Sequence, residues 1–358
     1  MNGIPYLSLG DYIDHTLANF YKRPKVHVTM TLQDYVMYNW LYKQVAENIK
    51  SGKRLEWRYM RNHSGEAQAT APFQILPTAY RDLWSTGYAN WTQCQKRATW
   101  NELLLGDMQG EAELADEMEK PLLDVLWGTL DYLENAPFRV KQNSSDLLTP
   151  DGIPFWFPKL AVGAEDTVGG FNGQTAVYAD GSTTTTIGAT DRSTVSQART
   201  GVGTYNGVNA GMLDTLRHLQ NITNFKMPTD VNQYVASSKA RWRLISGFTV
   251  QEQYEALVNA GPDDRNGDAN PFSGELTFRG MKWERVAAMN DLADSPIYGL
   301  NSSQFFPFRH NKFWNYWTKT DTVPGDTQTL YKDLFHKFNF AAVKEKEAGF
   351  VLHRVRAA

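Results

Sequence analysis

From residue 54 the chain reads Arg54-Leu55-Glu56-Trp57-Arg58-Tyr59, with Leu55, Trp57 and Tyr59 on one face and Arg54, Glu56 and Arg58 on the other. That alternation is the period-two signature of a strand. The return run, from Tyr80 to Leu103, spaces Trp84, Tyr88, Trp91 and Trp100 among Thr, Asn, Gln and Arg, with almost no aliphatic residues to pack. Residues 54 to 104 therefore predict a long two-stranded ribbon. An isolated hairpin is marginal in water, so a ribbon this long and this aromatic has to lie on something else. Another copy of the same chain is the expected support.

The ribbon hands over to the strongest helical pattern in the chain, Glu111 to Asn135. Leu114, Met118, Leu122, Val125, Thr129 and Leu133 make one stripe, and Glu111, Glu113, Asp116 and Glu117 gather in the first turns, where negative charge suits the helix dipole. Pro121 falls inside the pattern and predicts a kinked single helix. Upstream, residues 1 to 30 read as an extended arm. Thr31 and Asp34 resemble a capping box that opens a helix carrying Tyr38, Leu41, Val45 and Ile49, stopped by Ser51 and Gly52.

Downstream, residues 143 to 209 are rich in Gly, Ser, Thr and Asn but carry Phe155, Trp156, Phe157, Phe171 and Tyr178, which predicts short strands and long loops rather than disorder. Asn209 caps a helix with Met212, Leu213, Leu216 and Leu219. Thr249 and Glu252 open another, which stops at Gly261 and Pro262. Strands follow over Met281 to Met289, Pro296 to Leu300, Leu330 to Val343 and Phe350 to Val355. The last two read as a hairpin joined through Lys344 to Gly349. The fold class predicted is α+β, with a projecting ribbon and a long helix.

Composition narrows function. At 358 residues a conventional core is within reach, since a compact chain of this size buries about 75% of its unfolded surface. Aromatic residues make up 13% of the chain, and these are the side chains enriched where surfaces meet. A net charge of −3 without a long basic run argues against a dedicated nucleic-acid binder. Cys94 is the only cysteine, which excludes an intrachain disulfide and fits a small packing residue. The first fifteen residues lack the pattern of a signal peptide, and nowhere do 18 apolar residues run together, so a soluble protein made in a reducing compartment is expected.

Candidate chemistry is sparse. Nucleotide, zinc-protease and acyl-transfer signatures are absent from the chain. Gly201, Gly203 and Gly207 have the wrong spacing for a dinucleotide loop and read as a flexible turn. Asp263, Asp264, Arg265, Asn266, Gly267 and Asp268 look like a calcium loop, but aligning Gly267 puts Pro262 and Ser273 where an Asp and a Glu are needed, so an exposed turn is expected. The seven histidines, His15, His27, His63, His218, His310, His336 and His353, show no helical ligand spacing. Phe305, Phe306, Phe308, Phe313, Trp314, Tyr316 and Trp317 could stack a sugar or base, with burial in a core or contact as the plainer reading. No catalytic residue, cofactor or metal is predicted.

The order of arm, helix, ribbon, long helix, loop-rich centre and C-terminal strands resembles the major capsid proteins of tailed phages, the Hong Kong 97-type fold. GMKWERVAAMN (280–290) followed by SPIYGLN (295–301) resembles the family's strand pair, and FNFAAVKEKEAGFVLH (338–353) resembles its closing strands. The resemblance implies an N-terminal arm and first helix over 1–53, an extended loop over 54–104, and the spine helix of a peripheral domain over 105–142. It implies a mainly axial domain over 143–325 and C-terminal strands over 326–358 returning to the peripheral domain. The implied function is a self-assembling icosahedral shell around double-stranded DNA. Implied partners are copies of the chain in hexamers and pentamers, a portal, a separate scaffolding protein, a decoration protein, and packaged DNA through non-specific contact, with no membrane. The implied location is the virion, after synthesis in the host cytoplasm. Trp57, Tyr59, Trp84, Tyr88 and Trp91 would be buried against a neighbour, where Arg54, Arg58, Arg61, Arg81 and Arg97 would meet acids such as Glu111, Glu113 and Glu117. Some relatives form a Lys-to-Asn crosslink between subunits. Lys53 and Lys96, the only lysines of the ribbon, lie away from its expected tip, so that crosslink is not expected here. The rival readings are a carbohydrate-active enzyme and a different multimeric phage component, a tail or decoration protein.

Overall fold

The computed structural model describes residues 35–50, 52–60, 84–102, 111–223, 242–259, 276–290, 292, 294–324, 328–343 and 345–355, with backbone alone at 60, 111–117 and 259. The N-terminal arm with its Thr31 capping box, the ribbon tip with Arg61 and Arg81, and the Asp263–Asp268 loop lie outside the described residues.

In chain order the elements begin with a π-helix α1 (Tyr38–Val45), β1 (Glu47–Ile49), β2 (Leu55–Met60), β3 (Trp84–Ala89), β4 (Thr92–Asn101) and α2 (Glu111–Asn135). The centre holds a one-turn helix α3 (Ile153–Trp156), β5 (Gly170–Gly173) and the short strands β6 (Ala176–Val177), β7 (Thr183–Thr184), β8 (Thr186–Ile187) and β9 (Thr190–Asp191). Then come β10 (Thr200–Tyr205), α4 (Ala210–Thr223), β11 (Trp242–Ser246), α5 (Phe248–Asn259), β12 (Thr277–Phe278), β13 (Met281–Arg285) and β14 (Ile297–Asn301). The chain closes with β15 (Phe305–Trp317), β16 (Asp321–Thr322), β17 (Thr329–Ala342), α6 (Glu345–Ala348) and β18 (Gly349–Arg354).

Two sheets organise these elements. Long antiparallel strands β15 and β17 anchor a five-stranded sheet in which β1 flanks β15, and both β4 and β16 pair with β17. Helix α2 lies on it as a spine: Met118, Leu122 and Val125 from its stripe pack with Ala98, Trp100, Leu330 and Leu334. The second sheet runs β12-β13-β11-β14-β18-β10-β5. Helices α4 and α5 cover it through Met212, Leu216, Leu219, Val250 and Tyr254 against Leu244, Trp283, Phe350 and Leu352. A third cluster joins the two sheets, with Phe305, Phe338 and Phe340 meeting Trp156, Phe157, Tyr298 and Val351. Tyr42 from α1 stacks on Trp314 at 5.5 Å and meets Phe338 edge-on at 5.5 Å.

Several expectations change in the folded chain. The first helix ends at Val45, and Glu47–Ile49 leaves it as a strand parallel to Phe308–His310, so Ile49 is not helical. The start of that helix is held by Glu134, whose carboxylate accepts from the N–H groups of Met37 at 3.1 Å and Tyr38 at 2.8 Å. This places a negative group where the helix dipole favours one. Burial raises the Glu134 carboxyl from its ordinary value, against those same hydrogen bonds. Asn209 caps α4, accepting from the Met212 N–H at 3.0 Å, whereas α5 starts at Phe248 and takes its cap from Asn290, at 2.8 Å from the Phe248 nitrogen.

Gly201 and Gly203 form no flexible turn. They lie in β10, buried along its whole length, where a Cβ on Gly203 would stand 2.9 Å from Thr215 Cγ2 of α4. The missing side chain lets helix and strand approach. The C-terminal hairpin is also corrected: β17 belongs to the five-stranded sheet, β18 to the centre of the seven-stranded one, and α6 passes the chain between them. Both edges of β18 are taken, by β10 in parallel and β14 in antiparallel pairing, so it cannot pair with β17, and α6 buries Glu345 against Arg192 at 3.2 Å on the way across.

Candidate assembly surface of the ribbon

Strands β2 and β3 pair antiparallel, with Leu55 opposite Ala89, Glu56 opposite Tyr88, Trp57 opposite Gly87, and Met60 opposite Trp84. Because side chains alternate, Trp57 and Tyr59 share one face while Trp84 and Tyr88 share the other with Glu56 and Arg58. The single aromatic strip expected from the sequence is therefore two strips facing opposite ways.

The inner strip is held by the chain itself. Trp57 lies across Gly87, where a Cβ would fall 2.6 Å from its indole, and meets Trp156 at 5.9 Å between ring centres. Gly188, at φ +58°, passes directly beneath: a Cβ there would stand 2.6 Å from Trp156 and 3.3 Å from Trp57. That position needs glycine both for its left-handed backbone and for space. The Tyr88 N–H donates to the Gly188 carbonyl at 3.2 Å, and the hydroxyls of Tyr59 and Thr190 share a hydrogen bond. Leu55 and Ala89 are buried.

The outer strip faces solvent. Trp84 is 62% exposed and Tyr88 39%. The Arg54 guanidinium sits 4.3 Å over the Tyr88 ring and pairs with Glu56 at 2.5 Å, and Arg58 is exposed. Aromatic faces with guanidinium groups among them are the composition that marks contact surfaces.

The remaining candidates fall elsewhere. Trp91 is a junction residue: its Nε1–H donates to the Gly52 carbonyl at 2.9 Å, and its ring meets His310 at 5.4 Å. At Asn90 and Trp91 the return run leaves the ribbon, and β4 pairs with β17 over ten residues, from Thr92–Phe338 to Asn101–Thr329. The expected single return strand is thus two strands in different sheets. Arg97 moves into the five-stranded sheet with it. Register sets Arg97 opposite Asp333, and the two form a bidentate pair, Nε–Oδ1 2.7 Å and Nη2–Oδ2 2.9 Å, within one chain. Glu111, Glu113 and Glu117 lie in the first turns of α2, with their side chains outside the described set.

Sequence reasoning missed the buried ion pairs. Arg192 is fully buried, donates to the Trp156 and Gly173 carbonyls at 3.0 and 3.3 Å, and faces Glu345. Burial raises the Glu345 carboxyl to about 7 although Arg192 opposes the rise. Lys159 meets Asp294 at 2.8 Å, and Lys141 meets Asp151 at 2.5 Å. No spacing in the sequence links Arg192 to Glu345 or Lys159 to Asp294. Cys94 is buried, and burial pushes its thiol up to about 11, far from a reactive thiolate. Phe305, Phe306 and Phe308 are core residues and Trp314 stacks within the chain, so that part of the C-terminal aromatic run is packing, while Tyr316 is 40% exposed. Among the described residues no helix is long and apolar enough to cross a membrane.

No family model and no curated protein matches the chain. Solved structures do, over nearly its whole length. The chain is similar to the cyanophage A-1(L) capsid asymmetric unit at 12% identity, covering 94% of this chain and 97% of that one, with a TM-score of 0.58. It is similar to the capsid of the native GTA particle at 11% identity, 95% and 97% coverage and a TM-score of 0.54. It is also similar to the capsid of Myoviridae phage XM1 at 9% identity, 99% and 100% coverage and a TM-score of 0.52. The fold is that of capsid shell subunits. It is the Hong Kong 97-type fold, α+β, with ribbon, spine helix and two sheets.

Proposed function

We propose that this chain is the major capsid protein of a tailed phage and assembles into the icosahedral shell that encloses its double-stranded DNA. The observation that carries the reading is a fold shared end to end with capsid subunits, together with a ribbon that turns Trp84, Tyr88, Arg54 and Arg58 outward. In this reading the five-stranded sheet with α2 is the peripheral domain, the seven-stranded sheet is the axial domain, and the ribbon reaches a neighbouring subunit in hexamers and pentamers. Arg54, Arg58, Arg61 and Arg81 meet acids of the neighbour, among them Glu111, Glu113 and Glu117. Exposed ion pairs contribute about 0 to 1 kcal/mol each, so aromatic burial and register provide the specificity and charge sets orientation. A portal, a separate scaffolding protein, a decoration protein and non-specific DNA contact complete the particle, which is built in the host cytoplasm. The role is structural, without catalysis. The enzyme reading loses Phe305, Phe306 and Phe308 of its stacking platform to the core, and a spine helix between ribbon and centre weighs against a tail or decoration protein.

The test is negative-stain microscopy of the purified chain, where uniform hollow particles are expected. A protein that stays monomeric in all salt and crowding conditions, with a radius of gyration near the ~21 Å of a self-sufficient globule, would overturn the reading.

A further inference from the structure

Lys141, Asp151 and Asn339 meet where the segment after α2, the turn before α3 and strand β17 converge. Lys141 Nζ stands 2.5 Å from Asp151 Oδ1, with 12% and 8% of the two side chains exposed. The other oxygen, Asp151 Oδ2, accepts from Asn339 Nδ2 at 2.9 Å. Asn339 is 1% exposed, and its Oδ1 accepts two backbone N–H groups, from Asp151 and Phe340, both at 2.8 Å. Its Nδ2 also donates to the Asn90 carbonyl at 2.5 Å. The Phe155 ring covers the lysine, 5.4 Å from Nζ to the ring centre.

Each part has a chemical meaning. Two N–H donors on one carbonyl oxygen polarise the amide and are placed to hold an oxyanion if its carbon is attacked. A carboxylate that touches both an amine and an amide NH2 can take a proton from the first and give it to the second. A lysine held out of water on the same carboxylate as that amide is a confined nucleophile.

We propose that Lys141 and Asn339 join in an intrachain isopeptide bond, with Asp151 as proton carrier. Asp151 takes a proton from the Lys141 ammonium, and the freed Nζ attacks Asn339 Cγ. The C=O electron pair moves onto Oδ1, held by the N–H groups of Asp151 and Phe340. Asp151 passes its proton to Nδ2; the electron pair returns, the Cγ–Nδ2 bond breaks, and ammonia leaves. The second proton on the attacking nitrogen passes through Asp151 to that ammonia. Ammonium and primary amide become secondary amide and ammonium ion, with no oxidant or reductant. The bond lies within one subunit, uses neither Lys53 nor Lys96, and does not depend on the capsid reading. It would fasten the chain leaving the spine helix to the strand beneath it.

Intact-mass measurement of the denatured full chain is the test. The wild type is expected to be one ammonia lighter than its sequence, and trypsin is expected to release a branched peptide joining residues 140–159 to 338–344. Lys141→Arg, Asn339→Ala and Asp151→Ala should each restore the full mass and the two separate peptides. A wild type at full sequence mass overturns the proposal, as does a loss of water, which would place the amide on Asp151. Loss of ammonia in Asp151→Ala would overturn the proton-carrier role. The wild-type measurement decides the bond even where a variant fails to fold.

Discussion

The ribbon base and the five-stranded sheet are built from the same aromatic-rich strand sequence and reach opposite outcomes. In β15 and β17, Phe305, Phe338 and Phe340 are 0% exposed, while in β3 Trp84 remains 62% exposed. Strand propensity does not separate them. Layers do: the sheet has α1 and the second sheet packed against it, whereas the two-stranded ribbon has one face on residues 186–190 and its other face, with Trp84 and Tyr88, exposed. Aromatic content alone therefore cannot distinguish core from contact surface; the number of covering layers can.

The strongest way to break that contrast is to attack the covered side. Phe340 stacks on Phe305 at 5.9 Å and meets Phe338 and Tyr42 in the same cluster. Phe340→Ala should cost about 3–5 kcal/mol through lost transfer energy and the cavity left behind. Urea unfolding of the unassembled subunit measures it. A loss below about 1 kcal/mol would mean that the sheet body is no better packed than the ribbon.

The covered side should also respond to pH. Glu345 holds its proton up to about 7 in the folded chain against an ordinary 4.5, with burial as the cause and Arg192 opposing. The folded state binds more protons across that window, so the Glu345 contribution is present below 4.5 and is lost as pH rises through about 7. His336 runs the other way. Burial lowers it from 6.5 to about 4, so its contribution is present above 6.5 and is lost as pH falls toward 4. The two trends oppose each other where the windows overlap. Glu345→Gln should therefore expose a steeper loss of stability on acidification, and His336→Gln the reverse, both read from urea midpoints across the pH range. Parallel pH profiles in wild type and both variants would contradict the assignment.

What could be read from sequence follows the distance over which each signal acts. Helix α2 spans the range its stripe and acidic start predict, because Met118, Leu122, Val125 and Leu133 repeat locally. Strand β2 was equally legible from its alternation. The break at Asn90–Trp91 was not, since polar and apolar residues keep alternating into β4 while the partner that captures it, β17, begins at Thr329. The pairing of Arg97 with Asp333 is hidden for the same reason: the two are adjacent only once the sheet exists. The face on which Trp84 lies depended on the β2–β3 register, which the ribbon's own alternation leaves open.

The sharpest tests are within the ribbon, where the two faces can be separated by single substitutions. Trp57 is half-buried on Trp156 and Gly188, so Trp57→Ala should cost about 2 kcal/mol of subunit stability, between the core and surface cases. Trp84→Ala should change subunit stability by no more than ~0.5 kcal/mol, because a side chain 62% exposed buries little area within the chain. Under the assembly reading its effect appears elsewhere. If Trp84 enters a neighbour's surface, the variant keeps its urea midpoint and circular dichroism yet fails to close shells in negative stain, with Tyr88→Ala weaker in the same direction. Normal particles from Trp84→Ala combined with Tyr88→Ala would remove the outer strip from the contact and leave charge and the ribbon tip to set it. A subunit that unfolds on losing Trp84 would instead show that this face is covered by its own chain, and the contrast between ribbon and sheet would collapse.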